Sequence, residues 1–138
     1  MEKLGSWTYV EILDSDALIG ILRNSPGAVE LTDRIDKTGK GSTTSINIYE
    51  ILMGAKRMKR EDKILEARNL LGKLDILYFD GKAAEKASSI HAEISLKGEQ
   101  LDIRDIFIGS IAMANGCSVT TRNVKHFSKI KGLTVKKW

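Results

Sequence analysis

Five acids and one amide stand where their neighbours suggest chemistry: Asp14, Asp16, Glu50, Asp102, Asp105 and Asn123. Asp14, Glu50 and Asp105 each lie against apolar neighbours, namely Ile12-Leu13, Ile51-Leu52 and Ile106-Phe107-Ile108. Carboxylates pressed into apolar surroundings repel one another unless a proton or cation is shared, and hard divalent ions take oxygen ligands. A divalent-ion site is therefore the chemistry this set points to. Each residue also has a plainer use. Asp14 or Asp16 can cap a helix, Asp102 or Asp105 can sit at the positive end of a helix dipole, and Asn123 can be an N-cap.

Whether the acids meet depends on the elements that carry them. Tyr9 to Leu13 reads as a buried strand ending at Asp14-Ser15-Asp16, and Ala17, Leu18, Ile21 and Leu22 follow at helical spacing. Ala28, Leu31, Thr32 and Ile35 predict a second helix, closed by the loop Gly39-Lys40-Gly41. Ser42 to Thr44 reads as a short strand, with Ser45 as N-cap of a helix carrying Ile48, Glu50, Ile51, Leu52 and Ala55. Ile64, Arg68, Leu71 and Leu74 fit another amphipathic helix. Ile76 to Phe79 reads as a strand, and Asp80 caps a long helix with Ala83, Ala84, Ala87, Ile90, His91 and Ile94 on one side. Ile103 to Asn115 is helical and ends at Gly116; Cys117 to Thr121 is a strand, Val124 to Ile130 a short helix, and Leu133 to Val135 a last strand. Strands alternating with helices predict an α/β fold, a central parallel sheet with helices on both faces. Ligands of such sheets bind beyond the carboxyl ends of the strands. The three acid-bearing places and Asn123 all fall on that edge.

Composition narrows the function classes. The chain has 138 residues, 42% hydrophobic and 29% charged, an ordinary balance for one globular domain over residues 1–138. Cys117 is the sole cysteine, which excludes an internal disulfide and suits a cytoplasmic setting. The longest charge-free run, Ile106 to Thr121, is too polar and too short for a membrane span. The net charge is +4, and no acid follows Asp105, whereas Arg122, Lys125, Lys129, Lys131, Lys136 and Lys137 do. A second basic cluster comprises Lys56, Arg57, Lys59, Arg60 and Lys63. Basic patches on an otherwise acidic chain suggest a polyanion partner, most often a phosphate backbone. Trp7, Tyr9, Tyr49 and Tyr78 could stack on bases or pack in the core.

Four blocks carry a family resemblance: Ile12 to Ile19; Thr43 to Ala55, which contains Glu50; Asp105 to Gly116; and Thr120-Thr121-Arg122-Asn123-Val124-Lys125-His126-Phe127. In this order and spacing they resemble PIN-domain ribonucleases, specifically VapC-type toxins of prokaryotic toxin–antitoxin pairs. The resemblance implies strand order 3-2-1-4-5 and acids that hold Mg²⁺ or Mn²⁺ at the carboxyl edge. By position, Asp14, Glu50 and Asp105 are the implied metal ligands, Asn123 completes the catalytic set, and Ser15, Asp16 and Asp102 support them. A further acid of the family is His126 here. The basic clusters would then hold the RNA backbone through Arg122, Lys125, Lys56, Arg57 and Lys59. The implied partners are RNA, a homodimer mate and a small antitoxin, whose helix could use a groove around Ile21, Leu22, Leu52 and Met53.

The chemistry is coherent with that resemblance. Phosphodiester hydrolysis needs a deprotonated water, an in-line approach and relief of charge on phosphate, and a carboxylate-held Mg²⁺ serves all three. Two other readings stay open. Asp14-Ser15-Asp16 also fits the start of a haloacid-dehalogenase-type phosphatase, with Asp14 as nucleophile. The Asn at 123, in place of a fourth carboxylate, also leaves room for a non-catalytic PIN-like module that binds nucleic acid or a partner.

Overall fold

The computed structural model describes residues 11–39 and 41–138. Its elements in chain order are β1 (Glu11–Leu13), α1 (Ser15–Leu22), α2 (Ala28–Thr38), β2 (Ser42–Thr44), α3 (Ser45–Arg57), α4 (Glu61–Leu71), β3 (Asp75–Leu77), α5 (Gly81–Leu96), α6 (Ile103–Ala114), β4 (Ser118–Thr120), α7 (Val124–Phe127) and β5 (Val135–Lys136). The strands form one sheet in the order β3-β2-β1-β4-β5. Every pairing is parallel, with Ile12 beside Ser42 on one side and Val119 on the other. The fold is the α/β parallel sheet, order 3-2-1-4-5, that the sequence implied.

The two residues of β1 that follow Glu11 show how the layers are built. Ile12 and Leu13 point to opposite faces, as successive strand residues must. Ile12 joins a core made with α5, α6 and α7, through Ala87, Ile90, Ile94, Ile108, Ile111 and Phe127. Leu13 joins a second core made with α1 to α4, through Leu18, Leu31, Ile35, Ile51, Ala67 and Leu71. Because this central strand is covered on both faces, its successive residues Ile12 and Leu13 are both apolar rather than alternating with polar ones.

Several boundaries differ from the sequence reading for local reasons. Thr44, not Ser45, caps α3: its hydroxyl accepts from the Asn47 N–H at 3.2 Å, and Asn47 reaches back to the Thr44 N–H at 3.3 Å. The side-chain amide of Asn47 thus does the work of the Glu or Gln usual in such a reciprocal cap. α4 stops at Leu71, and Leu74 is buried from the turn beyond it. β3 starts at Asp75 and ends at Leu77, short of Phe79, whose ring packs on Phe107. The third turn of α5 leaves His91 exposed, so the apolar face is Ala83, Ala87, Ile90 and Ile94 alone. The last strand is displaced to Val135–Lys136, β4 narrows to Ser118–Thr120, and α7 closes at Phe127. Tyr9, Val10 and Lys40 lie outside the described residues, as does Trp7. Asp80 caps α5 by accepting from the Ala83 N–H at 2.9 Å, and Gly116 follows α6 at φ +66, where a side chain would be strained.

Candidate active site

Beyond the carboxyl ends of β1, β2 and β4 lies an open cleft of about 470 Å³. Asp14, Ser15, Asp16, Glu50, Asp102, Arg104, Asp105, Arg122, Asn123 and His126 line it. The chain has therefore brought together in one depression every acid singled out by type and spacing, along with Asn123. Lys56, Arg57 and Lys59 are exposed at and beyond the far end of α3, and Lys125 is exposed on α7; none of these four lines the cleft.

Asp14 sits at the N-cap position of α1, yet its side chain makes no capping bond. Its backbone enters the sheet instead, the N–H donating to the Thr120 carbonyl at 3.0 Å. That leaves the carboxylate to the cleft floor, only 7% exposed. Oδ1 accepts from Asn47 Nδ2 at 3.2 Å and Oδ2 from the Thr121 hydroxyl at 2.8 Å. Asn47, fully buried, also donates to Ser15 Oγ at 2.9 Å, and Ser15 in turn donates to Glu50 Oε1 at 2.7 Å. Asn47 is thus the pivot that ties the first acid to the second. Glu50 Oε2 faces Arg104 Nη1 at 3.4 Å. Asp105 has His126 Nδ1 at 3.9 Å. Asp102 does cap its helix, accepting from the Arg104 N–H at 2.8 Å. Asn123 holds the N-cap position of α7 without a side-chain capping bond, which leaves its amide to the cleft.

Asp16 is held from three sides. It accepts from Trp138 Nε1 at 2.9 Å, from the Arg122 N–H at 3.0 Å and lies 3.1 Å from the Thr121 hydroxyl. The indole of Trp138 rests on Gly20, where an added Cβ would fall 2.3 Å from the ring, so glycine is required by the close approach. The guanidinium carbon of Arg122 lies over the same ring at 3.6 Å from its centroid, and Nη2 donates to the Pro26 carbonyl at 2.7 Å. Asp16 and Arg122 are part of a clasp around Trp138 rather than free ends.

The electrostatics follow from burial and crowding. Desolvation pushes Asp14 up to about 6, and the charges of Asp16 and Glu50 add to it against the hydrogen bond from Thr121. Burial likewise pushes Asp105 up to about 6, helped by the negative charges of Asp14, Asp102 and Glu50. Asp102 moves the other way, because the Arg104 guanidinium forks onto it. A buried and a half-buried acid, both near 6, make a site short of positive charge, which a divalent cation would supply. Among the described residues, no three carboxylate, imidazole or thiolate groups close on one ion unaided. The donor set nevertheless fits Mg²⁺ or Mn²⁺. Mg²⁺ keeps several waters and takes one or two carboxylates, which an open cleft permits and a closed cage does not.

Fold and cleft together define an α/β domain with a carboxylate centre beyond the carboxyl edge of a parallel sheet. The chain belongs to the PIN domain family, whose model matches residues 12–133. It is similar to the tRNA(fMet)-specific endonuclease VapC of Salmonella typhimurium, 27% identical over 128 residues that span 92% of this chain and 96% of the relative. The protein of the same name from Shigella flexneri is 25% identical with the same coverage. A solved DNA-bound VapBC from Salmonella typhimurium superposes with a TM-score of 0.85 at 26% identity, covering 94% of this chain and 98% of that one.

Sequence reasoning passed over four members of the site. Arg104 was hidden by its acidic neighbours, although an Arg between Asp102 and Asp105 is itself a signal. Asn47 and Thr121 look like ordinary helix and strand residues until their buried polar groups are traced. Trp138 gave no sequence signal for its place, since nothing local says that it folds back to Asp16.

Proposed function

We propose that the chain is a VapC-type endoribonuclease, the toxin of a toxin–antitoxin pair, and that it hydrolyses phosphodiesters of RNA with Mg²⁺ or Mn²⁺. The observation that carries this reading is the pair formed by buried Asp14 and half-buried Asp105, both raised to about 6 in a cleft large enough for a phosphate and its waters. The names of the related proteins, endonuclease and ribonuclease, supply the reaction class. One PIN-like domain accounts for residues 1–138.

Asp14, Glu50 and Asp105 would hold the ion, which when bound would supply Lewis acidity toward a water and positive charge beside the phosphate. Asn47 holds Asp14, and Ser15 holds Glu50, so both carboxylates present fixed oxygens without reorganising. Asn123 offers an uncharged amide to the cleft, where a fourth carboxylate would add repulsion. Lys56, Arg57, Lys59 and Lys125 hold the RNA backbone on either side, and Arg122 keeps the cleft rim in place. The protein acts in the cytoplasm and pairs with itself as a homodimer; no helix among the described residues is long and apolar enough to cross a membrane.

An antitoxin helix would dock in the apolar groove of about 260 Å³ between α1, α3 and α4, lined by Ile19, Leu22, Ile51, Ala55, Met58 and Ala67. Leu22 lines it, while Ile21 and Leu52 are half-buried against the core beneath. Glu50 borders both groove and cleft, so a docked helix can lay a basic side chain among the carboxylates. Cleavage of a single-stranded RNA with Mn²⁺, with EDTA as control, tests the activity. We expect cleavage that EDTA abolishes and that Asp105→Asn loses while keeping its fold. Unchanged cleavage by Asp105→Asn would sink the assignment, and binding without cleavage would favour the non-catalytic module.

A further inference from the structure

Two arginines reach the carboxylate cleft, and they have opposite occupations. The planar face of Arg122 is stacked on Trp138, while Nη2 and Nε donate to the carbonyls of Pro26 and Trp138 at 2.7 and 3.4 Å. It is committed within the protein. Arg104 is anchored at one edge and open at the other. Its Nε and Nη2 fork onto Asp102 at 3.1 and 3.0 Å, and Asp102 is itself fixed by capping α6. Its Nη1 stands 3.4 Å from Glu50 Oε2, and the side chain is 47% exposed. Charge-assisted N–H···O⁻ bonds run at about 2.7–2.9 Å, so the Glu50 contact is a loose tether, whereas the fork is a firm one.

A phosphate entering this cleft meets Asp14, Glu50 and Asp105, and their charge repels it. A cation fixed in orientation and exposed on the cleft side offsets that repulsion at little cost in side-chain entropy. Resting on the nuclease reading above, we propose that Arg104 is a catalytic residue whose Nη1 edge leaves Glu50 and donates to a non-bridging oxygen of the scissile phosphate. Water adds to phosphorus, the ester bond to one ribose oxygen breaks, and that oxygen ends with a proton from the water. Arg104 stays protonated throughout and holds the charge that builds on the non-bridging oxygens. Asp102 is a positioning residue that aims the guanidinium.

The test compares the wild type with Arg104→Gln, Arg104→Lys and Asp105→Asn, all checked by thermal unfolding. Single-turnover cleavage is measured in Mn²⁺, and affinity for the same RNA is measured in EDTA across a salt series. Arg104→Gln should slow cleavage by about 10²–10³-fold, the usual cost of one donor to a developing oxyanion. It should also reduce the slope of log affinity against log salt by about 0.7, one phosphate contact. Arg104→Lys should restore the slope but only part of the rate, because an ammonium lacks the fork to Asp102. Asp105→Asn should lose cleavage and keep the slope. An Arg104→Gln protein with wild-type rate, or with an unchanged slope, overturns the assignment while leaving the nuclease reading intact. Cleavage absent from the wild type, or retained by Asp105→Asn, overturns both. If Arg104→Gln does not fold, Asp102→Asn decides: Asn still caps α6 but loosens the fork, so the rate should fall with the slope unchanged, and a wild-type rate refutes the proposal.

Discussion

Asp14→Asn should stabilise the ion-free protein and abolish its activity. In the native state burial, together with the charges of Asp16 and Glu50, holds Asp14 at about 6, against an ordinary 3.8. Between those values the folded protein binds a proton that the unfolded chain has released. Stability therefore falls as pH rises from about 4 to about 6, and the deficit is complete above the folded value. A displacement of about two units corresponds to about 3 kcal/mol, as an upper figure. Asn carries no charge and does not bear this cost. Its carbonyl oxygen can still accept from Asn47 Nδ2, and its amide can donate to Thr121, whose hydroxyl can turn to Asp16 at 3.1 Å.

The expected gain is about 1–3 kcal/mol at pH 7.5 in EDTA, shrinking to about a third of that at pH 4.5, where the folded wild-type carboxyl is neutral and only the unfolded one ionises. Urea unfolding of both proteins at the two pH values measures it. Adding Mn²⁺ at pH 7.5 should reverse the order, since the wild type gains stability by mass action and the variant gains less. A variant less stable than the wild type at pH 7.5 without metal would refute the reasoning. So would a difference equal at both pH values, because it would show that packing rather than charge decides.

Three further outcomes follow from the same geometry. Mn²⁺ affinity, followed by calorimetry, should rise steeply as pH passes through about 6 and level off above it, as Asp14 and Asp105 lose their protons; a flat profile from pH 5 to 7.5 contradicts this. Gly20→Ala should drive the Trp138 ring out of its seat and cost about 1–3 kcal/mol, read by thermal unfolding and by tryptophan fluorescence. Replacing Lys56, Arg57 and Lys59 together with Ala should weaken RNA binding alike for all sequences and lower its salt dependence, measured in Ca²⁺; an unchanged salt slope would mean that they only solubilise the surface.

The parallel sheet and the shared edge of the acids were legible because they depend on periodicity and on where each strand ends, whereas the strand order 3-2-1-4-5 was implied only by the resemblance of the four blocks to PIN-domain ribonucleases. Ile12-Leu13 followed by Asp14 is such a case: an apolar run of strand length must be buried on both faces, and the first acid then falls beyond its carboxyl end. What was not legible depends on contacts distant in sequence. Arg122, beside Asn123, reads as a phosphate contact from spacing alone, but Trp138, sixteen residues on, takes its guanidinium. His91 follows helical spacing within the register error of one position, and a single step places it in solvent. Tyr49 and Tyr78, at 58% and 64% exposure, are surface residues rather than core, which strand and helix context could not decide. The capping alternatives separated only in three dimensions: Asp102 and Asp80 cap their helices, whereas Asp14 does not.

The central claim is that Asp14, Glu50 and Asp105 hold the divalent ion of a ribonuclease. Anomalous diffraction from crystals of the wild-type chain grown with Mn²⁺ at pH 7.5 tests it most directly. The account predicts a manganese peak in the cleft with carboxylate oxygens of Asp14, Glu50 and Asp105 in its coordination shell at about 2.0–2.6 Å and water in the remaining positions. It also predicts that the peak is lost in Asp14→Asn crystals. A peak elsewhere on the surface with none in the cleft would contradict the account, as would a cleft peak that persists unchanged in Asp14→Asn.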